Sequence, residues 1–379
     1  IPNPLLFALA FYICYIFFNI IISQTETGSI FLGLRNYLKH LPILLLPYAL
    51  NLTDNQLKNQ LGFIFSLILL QIPISIIQKI YYAHIGKYSG DFITGTCLGS
   101  GVLSMVLICT FTYIFILYIK KTIPLILFLL MTLVMLFPTM INETKITLFL
   151  VPLSIITVMV FEKSIQFSKK MLLSFFLICT FSSVFISVYN YDIENLNSPS
   201  IQDFLTNKNN YFKDYFLKGS DVSNKTFYEP WETSHIGRIA TLSSTFDLLS
   251  DNIERLFFGY GLGANTVSYF SSFTNPVAYE LNMNNSQNIT FTYILSEIGI
   301  FGILLYMCFF PIISIKAYEL KNLNSCLGYL SHAWLVIVPI ICVNLLYLNL
   351  IESNVLNYLF WYLSGIIIAK SSELKKQNV

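Results

Sequence analysis

Apolar runs of bilayer length recur along this chain, and they limit its fold more than any other feature. A helix needs roughly 20 apolar residues to cross the hydrocarbon layer, within a range of about 17 to 25. About ten runs approach that length, some of them short: 4 to 22, 39 to 52, 60 to 79, 98 to 118, 123 to 141, 146 to 161, 171 to 189, 289 to 314, 328 to 349 and 354 to 369. The second is the weakest, being short and interrupted by Pro42 and Pro47; it is kinked or spans only in part, which is tolerated where backbone faces protein or water. Charge supports this reading. Of 379 residues 11% are charged and 55% hydrophobic, whereas a soluble domain is about a quarter charged. The expected fold is an all-α polytopic integral membrane protein. A net charge of +2, with the basic residues scattered, gives no footprint for nucleic acid. Seven cysteines lie in or at the ends of apolar runs without a CxxC pair, so neither a disulfide framework nor a zinc site is indicated. No metal or other cofactor is called for. The chain enters its first apolar run from Ile1, so further sequence is expected before it.

The runs divide the chain into N-terminal helices (1–189), a long polar loop (190–288) and C-terminal helices (289–379). With the C-terminus cytoplasmic, the inner loops hold Lys58, Lys120, Lys121, Lys163, Lys169, Lys170, Lys316, Lys321, Lys370, Lys375 and Lys376. The short outer loops then hold Arg35, Lys39, Lys79, Lys87 and Lys145, a ratio of 11 to 5 that satisfies the positive-inside rule. The long loop therefore lies outside. It carries eleven acidic residues against six basic, so an anionic ligand must be attracted locally rather than by the loop as a whole. All three arginines, Arg35, Arg238 and Arg255, fall on the outer side together with Lys145. Arginine presents a planar fork suited to phosphate oxygens. Each is equally read as a plain surface or interface charge.

Within the loop, SHIGRIATLSSTFDLLSDNIERLFFGYGLGANTVSYF combines an arginine, a helical stripe and a glycine turn. Ile239, Leu242, Phe246, Leu249, Ile253 and Leu256 recur at spacings of 3 and 4, opposite Asp247, Asp251 and Glu254, which predicts one amphipathic helix. Thr233 or Ser234 can cap its start, and Gly259 or Gly261 can end it.

GLRNYL (33–38), SGDFITGT (89–96), NETK (142–145), Gly237-Arg238, FFGYGLG (257–263) and SQNITFTYILSEIGIFG (286–302) together resemble the Wzy/WaaL superfamily of bacterial O-antigen polymerases and ligases. As topology the resemblance covers nearly the whole chain, although its motifs concentrate between Gly237 and Gly302. It implies a GT-C-like helical bundle of about twelve spans, of which about ten are visible here, with one large periplasmic loop, in the bacterial inner membrane. It further implies an inverting, metal-independent glycosyltransferase whose donor is an undecaprenyl-pyrophosphate-linked oligosaccharide. A chain-length regulator and a flippase are implied as partners by the family alone. Arg238 matches the family's loop arginine and would neutralise the departing pyrophosphate, while Arg35 and Lys145 match basic positions at outer ends of spans. Arg255 is grouped with these as a binding residue. The ligases carry a histidine where this chain has Gln287, followed by Asn288. Glutamine cannot act as a base but can position a sugar hydroxyl, so the pattern favours polymerase over ligase. His235 and Glu232 are the nearby titratable groups that could activate an acceptor, His235 having the better intrinsic pKa.

Other residues carry two readings each. Gly259, Gly261 and Gly263 could offer backbone N–H groups to phosphate or simply stop a helix. Glu297, inside an apolar run, is a functional candidate by default, but Gly299 and Gly302 beside it suggest close helix packing. Asp91, Thr94 and Thr96 could hold sugar hydroxyls or form a turn. Tyr228, Trp231 and the aromatic residues 211 to 216 could stack on sugars or sit at the interface. Beside polymerase and ligase stands a transporter or flippase for the same lipid, which should carry mid-membrane ionisable residues and repeated halves.

Overall fold

A computed structural model describes residues 1–22, 25–85, 90–142, 144–162, 176–187, 238–266 and 289–377. The described residues form helices and connecting turns, with no strand among them. In chain order the helices are α1 (Asn3–Ile22), α2 (Thr27–Leu38), α3 (His40–Leu50), α4 (Asp54–His84), α5 (Ser100–Ile119), α6 (Leu125–Ile141), α7 (Thr147–Phe161) and α8 (Phe176–Ser187). Then come α9 (Arg238–Ser250), α10 (Ile253–Phe258), α11 (Thr290–Met307), α12 (Phe309–Leu320), α13 (Cys326–Asn344) and α14 (Asn354–Gln377). Five are long and apolar enough to cross a membrane: α1, α4, α5, the continuous α11–α12 run and α13. The other predicted spans correspond to shorter or more polar helices, α3 having 11 residues, α7 15 and α6 17.

The chain packs as two units. The first comprises Ile1–Leu46, Phe204–Ile312 and Cys342–Trp361; the second comprises Pro47–Asp203, Ile313–Ile341 and Tyr362–Val379. Each draws on segments far apart in sequence, so neither matches a stretch between loops.

In the second unit α5 is the central helix. It is apolar on all sides and buried on all sides, as such a helix must be unless lipid surrounds it. Phe115 and Tyr118 stack on Phe128 of α6 at 5.6 and 4.6 Å. The hydroxyls carried inward find partners within the protein: Thr112 bonds Ser154 of α7 at 2.7 Å, and Asn142, which closes α6, bonds Ser104 Oγ at 2.8 Å and Ser100 O at 3.0 Å. α4 begins at a reciprocal cap in which Thr53 Oγ1 accepts from Gln56 N and Gln56 Oε1 accepts from Thr53 N. Further along α4, Gln78 and Gln71 hold the turn 94–96, with Gln78 Oε1 accepting from Gly95 N at 2.8 Å and Gln71 Oε1 from Thr96 N at 2.8 Å. Residues 94–96 thus serve as a fastened turn. Three of the lysines assigned to inner loops are paired within the protein: Lys120 with Glu162 at 3.1 Å, and Lys316 and Lys375 with Glu319 at 3.1 and 2.8 Å.

In the first unit α1 buries Leu5, Leu9, Tyr12, Ile16 and Asn19, one side at spacings of 3 and 4, while Phe7, Phe11 and Phe18 remain exposed. A face of exposed phenylalanines is costly in water and natural against lipid. His40 is buried against aromatic rings, stacked on Trp361 at 4.7 Å with Tyr12 and Tyr306 beside it.

α11 is broken. Gly299 sits at φ 65, ψ −169, outside helical space, so the helix is two short halves meeting at Ile298. The glycine turn that follows α10 enters this break. A Cβ on Gly299 would strike the carbonyl of Phe257 and one on Gly259 the carbonyl of Glu297, so two backbones meet where no side chain fits. A second close approach lies next to it, where a Cβ on Gly33 of α2 would come within 2.5 Å of Gly263 N. Replacing Gly299 by alanine combines a left-handed φ, costing about 1–2 kcal/mol, with overpacking of about 1–3 kcal/mol. The thermal midpoint of Gly299→Ala in lipid nanodiscs is therefore expected to drop by several degrees or the variant to fail to accumulate. Gly62→Ala, at an open helical position with nothing within 4 Å, should leave the midpoint unchanged or raise it.

Candidate functional site

The site is built from α2, α9, α10, the turn 259–266, the first half of α11 and the segment 345–353 before α14. The predicted single amphipathic helix is in fact two. Asn252 leaves helical space and its Oδ1 accepts from Glu254 N at 2.8 Å and Arg255 N at 3.4 Å, capping α10 and ending α9. The inward face also differs from the predicted stripe. Thr241, Thr245 and Leu249 are buried, one face at i, i+4 and i+8, whereas Phe246 is 45% and Ile253 70% exposed. Thr245 escapes its desolvation cost by bonding Thr241 O at 2.8 Å. The acidic residues Asp247, Asp251 and Glu254 are exposed as expected. The capping candidates Thr233 and Ser234 lie outside the described residues.

Arg238 opens α9 and is held in place. Its Nε donates to Tyr347 O at 2.9 Å, and its guanidinium carbon lies 3.9 Å above the Tyr347 ring, so a hydrogen bond and a cation–π contact fix the plane of the fork. The same segment is anchored to α11 by Thr290, whose backbone N–H and hydroxyl both donate to Leu348 O, at 3.1 and 2.6 Å. Just beyond, at the start of α14, Asn354 Oδ1 accepts from Lys39 Nζ at 2.8 Å. Arg35, exposed in the last turn of α2, is close enough to act electrostatically on Lys39, as is Glu352 from the segment itself. Residues 345–354 therefore join the Arg238 region to the Arg35–Lys39 pair.

Sequence marks Lys39 only as an outer-loop charge; its place in the site is visible only once α2 and α14 are folded together. Burial pushes its amine down to about 8, Arg35 pushing the same way and Glu352 opposing. Between about pH 8 and its ordinary value the unfolded chain binds a proton that the folded one does not, so stability rises with pH across that window. The thermal midpoint of the wild type should climb between about pH 8 and 10.5, and Lys39→Met should flatten that part of the profile. An unchanged slope in the variant would show that the amine is not the group titrating.

Arg255 is exposed on α10, 4.9 Å over the Tyr260 ring. Lys145 belongs to the other unit, half-buried in the turn before α7. His235, Glu232, Gln287, Asn288, Tyr228 and Trp231 lie outside the described residues. Gly261 and Gly263 both have positive φ, 110 and 82, and both are buried. The phosphate-cradle reading of this turn requires a correction. Gly261 N–H donates to Glu297 O at 3.0 Å and Tyr260 N–H to Ser296 O at 2.8 Å, so these donors serve the carbonyls exposed by the break in α11.

Beneath the turn lies a polar network that sequence periodicity does not reveal. Glu297, fully buried, accepts at Oε1 from Asn265 N and Thr266 Oγ1, both at 3.0 Å. Thr266 also contacts the Tyr293 hydroxyl at 2.6 Å, which accepts from Asn36 Nδ2 at 3.0 Å. Asn265 Nδ2 donates to Ser296 Oγ at 2.9 Å. From α1, Tyr15 OH donates to Ile298 O at 2.6 Å and Asn19 Nδ2 to Phe258 O at 2.7 Å. Of these residues sequence singled out Glu297 alone, as an ionisable group in an apolar run; its partners are ordinary Asn, Thr and Tyr residues.

No protein-family model, no characterised protein and no solved structure matches the chain. The chemistry of the site therefore has to be read from its own groups. Among the described residues no three potential metal ligands come together. What the arrangement offers is fixed positive charge beside aromatic rings, and a buried carboxyl within the same unit.

Proposed function

We propose that the protein is a glycosyltransferase of the inner membrane that joins undecaprenyl-pyrophosphate-linked repeat units at the periplasmic face, extending a surface polysaccharide. The observation that carries this reading is the fixing of Arg238 by Tyr347, on a segment that also anchors Lys39 beside Arg35. An acceptor hydroxyl attacks C1 of the donor sugar, the bond from C1 to the pyrophosphate oxygen breaks, and undecaprenyl pyrophosphate leaves with the electron pair. The hydroxyl proton passes to His235 or to the departing pyrophosphate. Attack on the face opposite the leaving group inverts the anomeric centre. The developing charge on the pyrophosphate is what Arg238 meets, with Arg35, Lys39 and Arg255 as further cations of the same unit. Such preorganised donors supply about 3–4 kcal/mol each to a transition state.

Full-length protein in nanodiscs, given a synthetic undecaprenyl-pyrophosphate repeat unit without added nucleotide or metal, should build a ladder of longer glycans. Arg238→Ala should lower the rate by roughly a hundredfold or more. Arg238→Lys, which keeps the charge and loses the planar fork, should restore only a minor part of it. Products that form only when lipid A core is supplied would point to the ligase instead.

One observation favours a second reading. A helix broken at Gly299 beside a buried carboxyl is the construction transporters use for substrate and ion sites, which suits a flippase for the same lipid. Movement of a fluorescent lipid-linked sugar between leaflets, with no new glycosidic bond, would replace the transferase proposal by this one.

A further inference from the structure

The transfer step proposed above assigns no role to Glu297, a fully buried carboxyl with surroundings of its own. Thr266 gives its hydroxyl proton to Oε1, so the contact between Thr266 and Tyr293 is donated by Tyr293, and Tyr293 in turn accepts from Asn36. Oε1 thus ends a chain of donors that all point one way, with Asn265 N–H added. The other oxygen is different. Glu297 Oε2, Tyr37 OH and Asn265 Oδ1 have no hydrogen-bond partner among the described residues. Their residues are at most 1% exposed, and the Tyr37 hydroxyl is close enough to the carboxyl to act on it both electrostatically and as a hydrogen-bonding group.

No cation described on the packed elements forms an ion pair with Glu297. Tyr37 from α2, Tyr293 from the same helix and Tyr15 from α1 are neutral phenols. Of the charged residues on these elements, Arg35 on α2, Asp247 on α9 and Glu254 and Arg255 on α10 are exposed, and Arg238 on α9 is half-buried and held by Tyr347. The carboxyl also stands at the C-terminal end of the first half of α11, where the helix dipole adds partial negative charge. A bare anion enclosed there would be strongly disfavoured.

We propose that Glu297 holds one small monovalent cation, either a proton or sodium, with the Tyr37 hydroxyl and the Asn265 side-chain oxygen completing the site. An all-oxygen donor set suits a hard ion, and discontinuous helices are where membrane proteins place such ions. Because Asn265 and Thr266 bond the same carboxyl from the turn, occupancy bears on how that turn, and α10 before it, is seated on α11.

The test uses the full chain in nanodiscs with no glycan present, so its failure and that of the transfer proposal are separate results. In one arm, thermal midpoints are measured as sodium chloride replaces N-methylglucamine chloride at constant ionic strength. In the other, infrared difference spectra in sodium-free buffer compare wild type with Glu297→Gln, looking for the stretch of a protonated carboxyl that shifts in heavy water. A sodium-dependent rise in midpoint that Glu297→Gln abolishes identifies sodium; a carboxylic acid band that Glu297→Gln abolishes, without a sodium effect, identifies a proton. An ionised carboxylate with no response to sodium overturns the proposal. If Glu297→Gln does not fold, Tyr37→Phe keeps the ring and removes one oxygen. It should then weaken the apparent sodium affinity roughly tenfold, or shift the acid band, and no change in either overturns the site.

Discussion

The described first unit depends on a contact between two backbones. At Gly299 the helix α11 loses its regular hydrogen bonding, and the turn after α10 comes close enough to take over. Tyr260 and Gly261 donate to the carbonyls of Ser296 and Glu297, and Tyr15 donates to that of Ile298. In a bilayer no water is present to serve such groups, so a break in a helix survives only where the protein satisfies it. Glycine at both faces is what permits the approach. The loop segment and the membrane helix are thereby made one object, and the position of α9 and α10 follows from the seam.

That seam explains how charge can be fixed at the site. A guanidinium on a free loop would lose conformational entropy on meeting each ligand, whereas Arg238 is already oriented by the carbonyl and the ring of Tyr347. The Tyr347 segment is itself tied to α11 through Thr290 and continues to Asn354, which holds Lys39. Cations from α2 and α9 are therefore referred to one rigid connection, which is the preorganisation an electrostatic site requires. The second unit works differently. Its central helix α5 is packed all round by apolar and aromatic side chains, the Ser104 and Thr112 hydroxyls pair with Asn142 and Ser154, and Glu162 and Glu319 collect lysines.

Much of the helical architecture was legible without coordinates, because apolar length and the spacing of polar residues are local properties. The runs now seen as α1, α4, α5, α11–α12 and α13 were readable on that basis, and so was the glycine turn as a helix stop. The stripe from Ile239 to Leu256 misled because periodicity cannot register a cap. Asn252 interrupts the helix through its own side chain, and Thr241 and Thr245 turn inward, the Thr245 hydroxyl bonding the Thr241 carbonyl. Glu297 stood out as an ionisable group in an apolar run, but nothing in its neighbours' identities foretold the network around it.

By itself the sequence determined that this is a chain of membrane-length apolar runs interrupted by one long polar stretch, with arginine scarce and glycine concentrated at 259–263 and 299–302. Those facts follow from composition and from patterns repeated every few residues. Tertiary structure decided which glycine meets which carbonyl, which carbonyl orients Arg238, and why Glu297 has one satisfied oxygen and one without a partner. Each of these joins residues tens to hundreds of positions apart, and the energy of such a contact depends on distance in space, which local patterns do not encode.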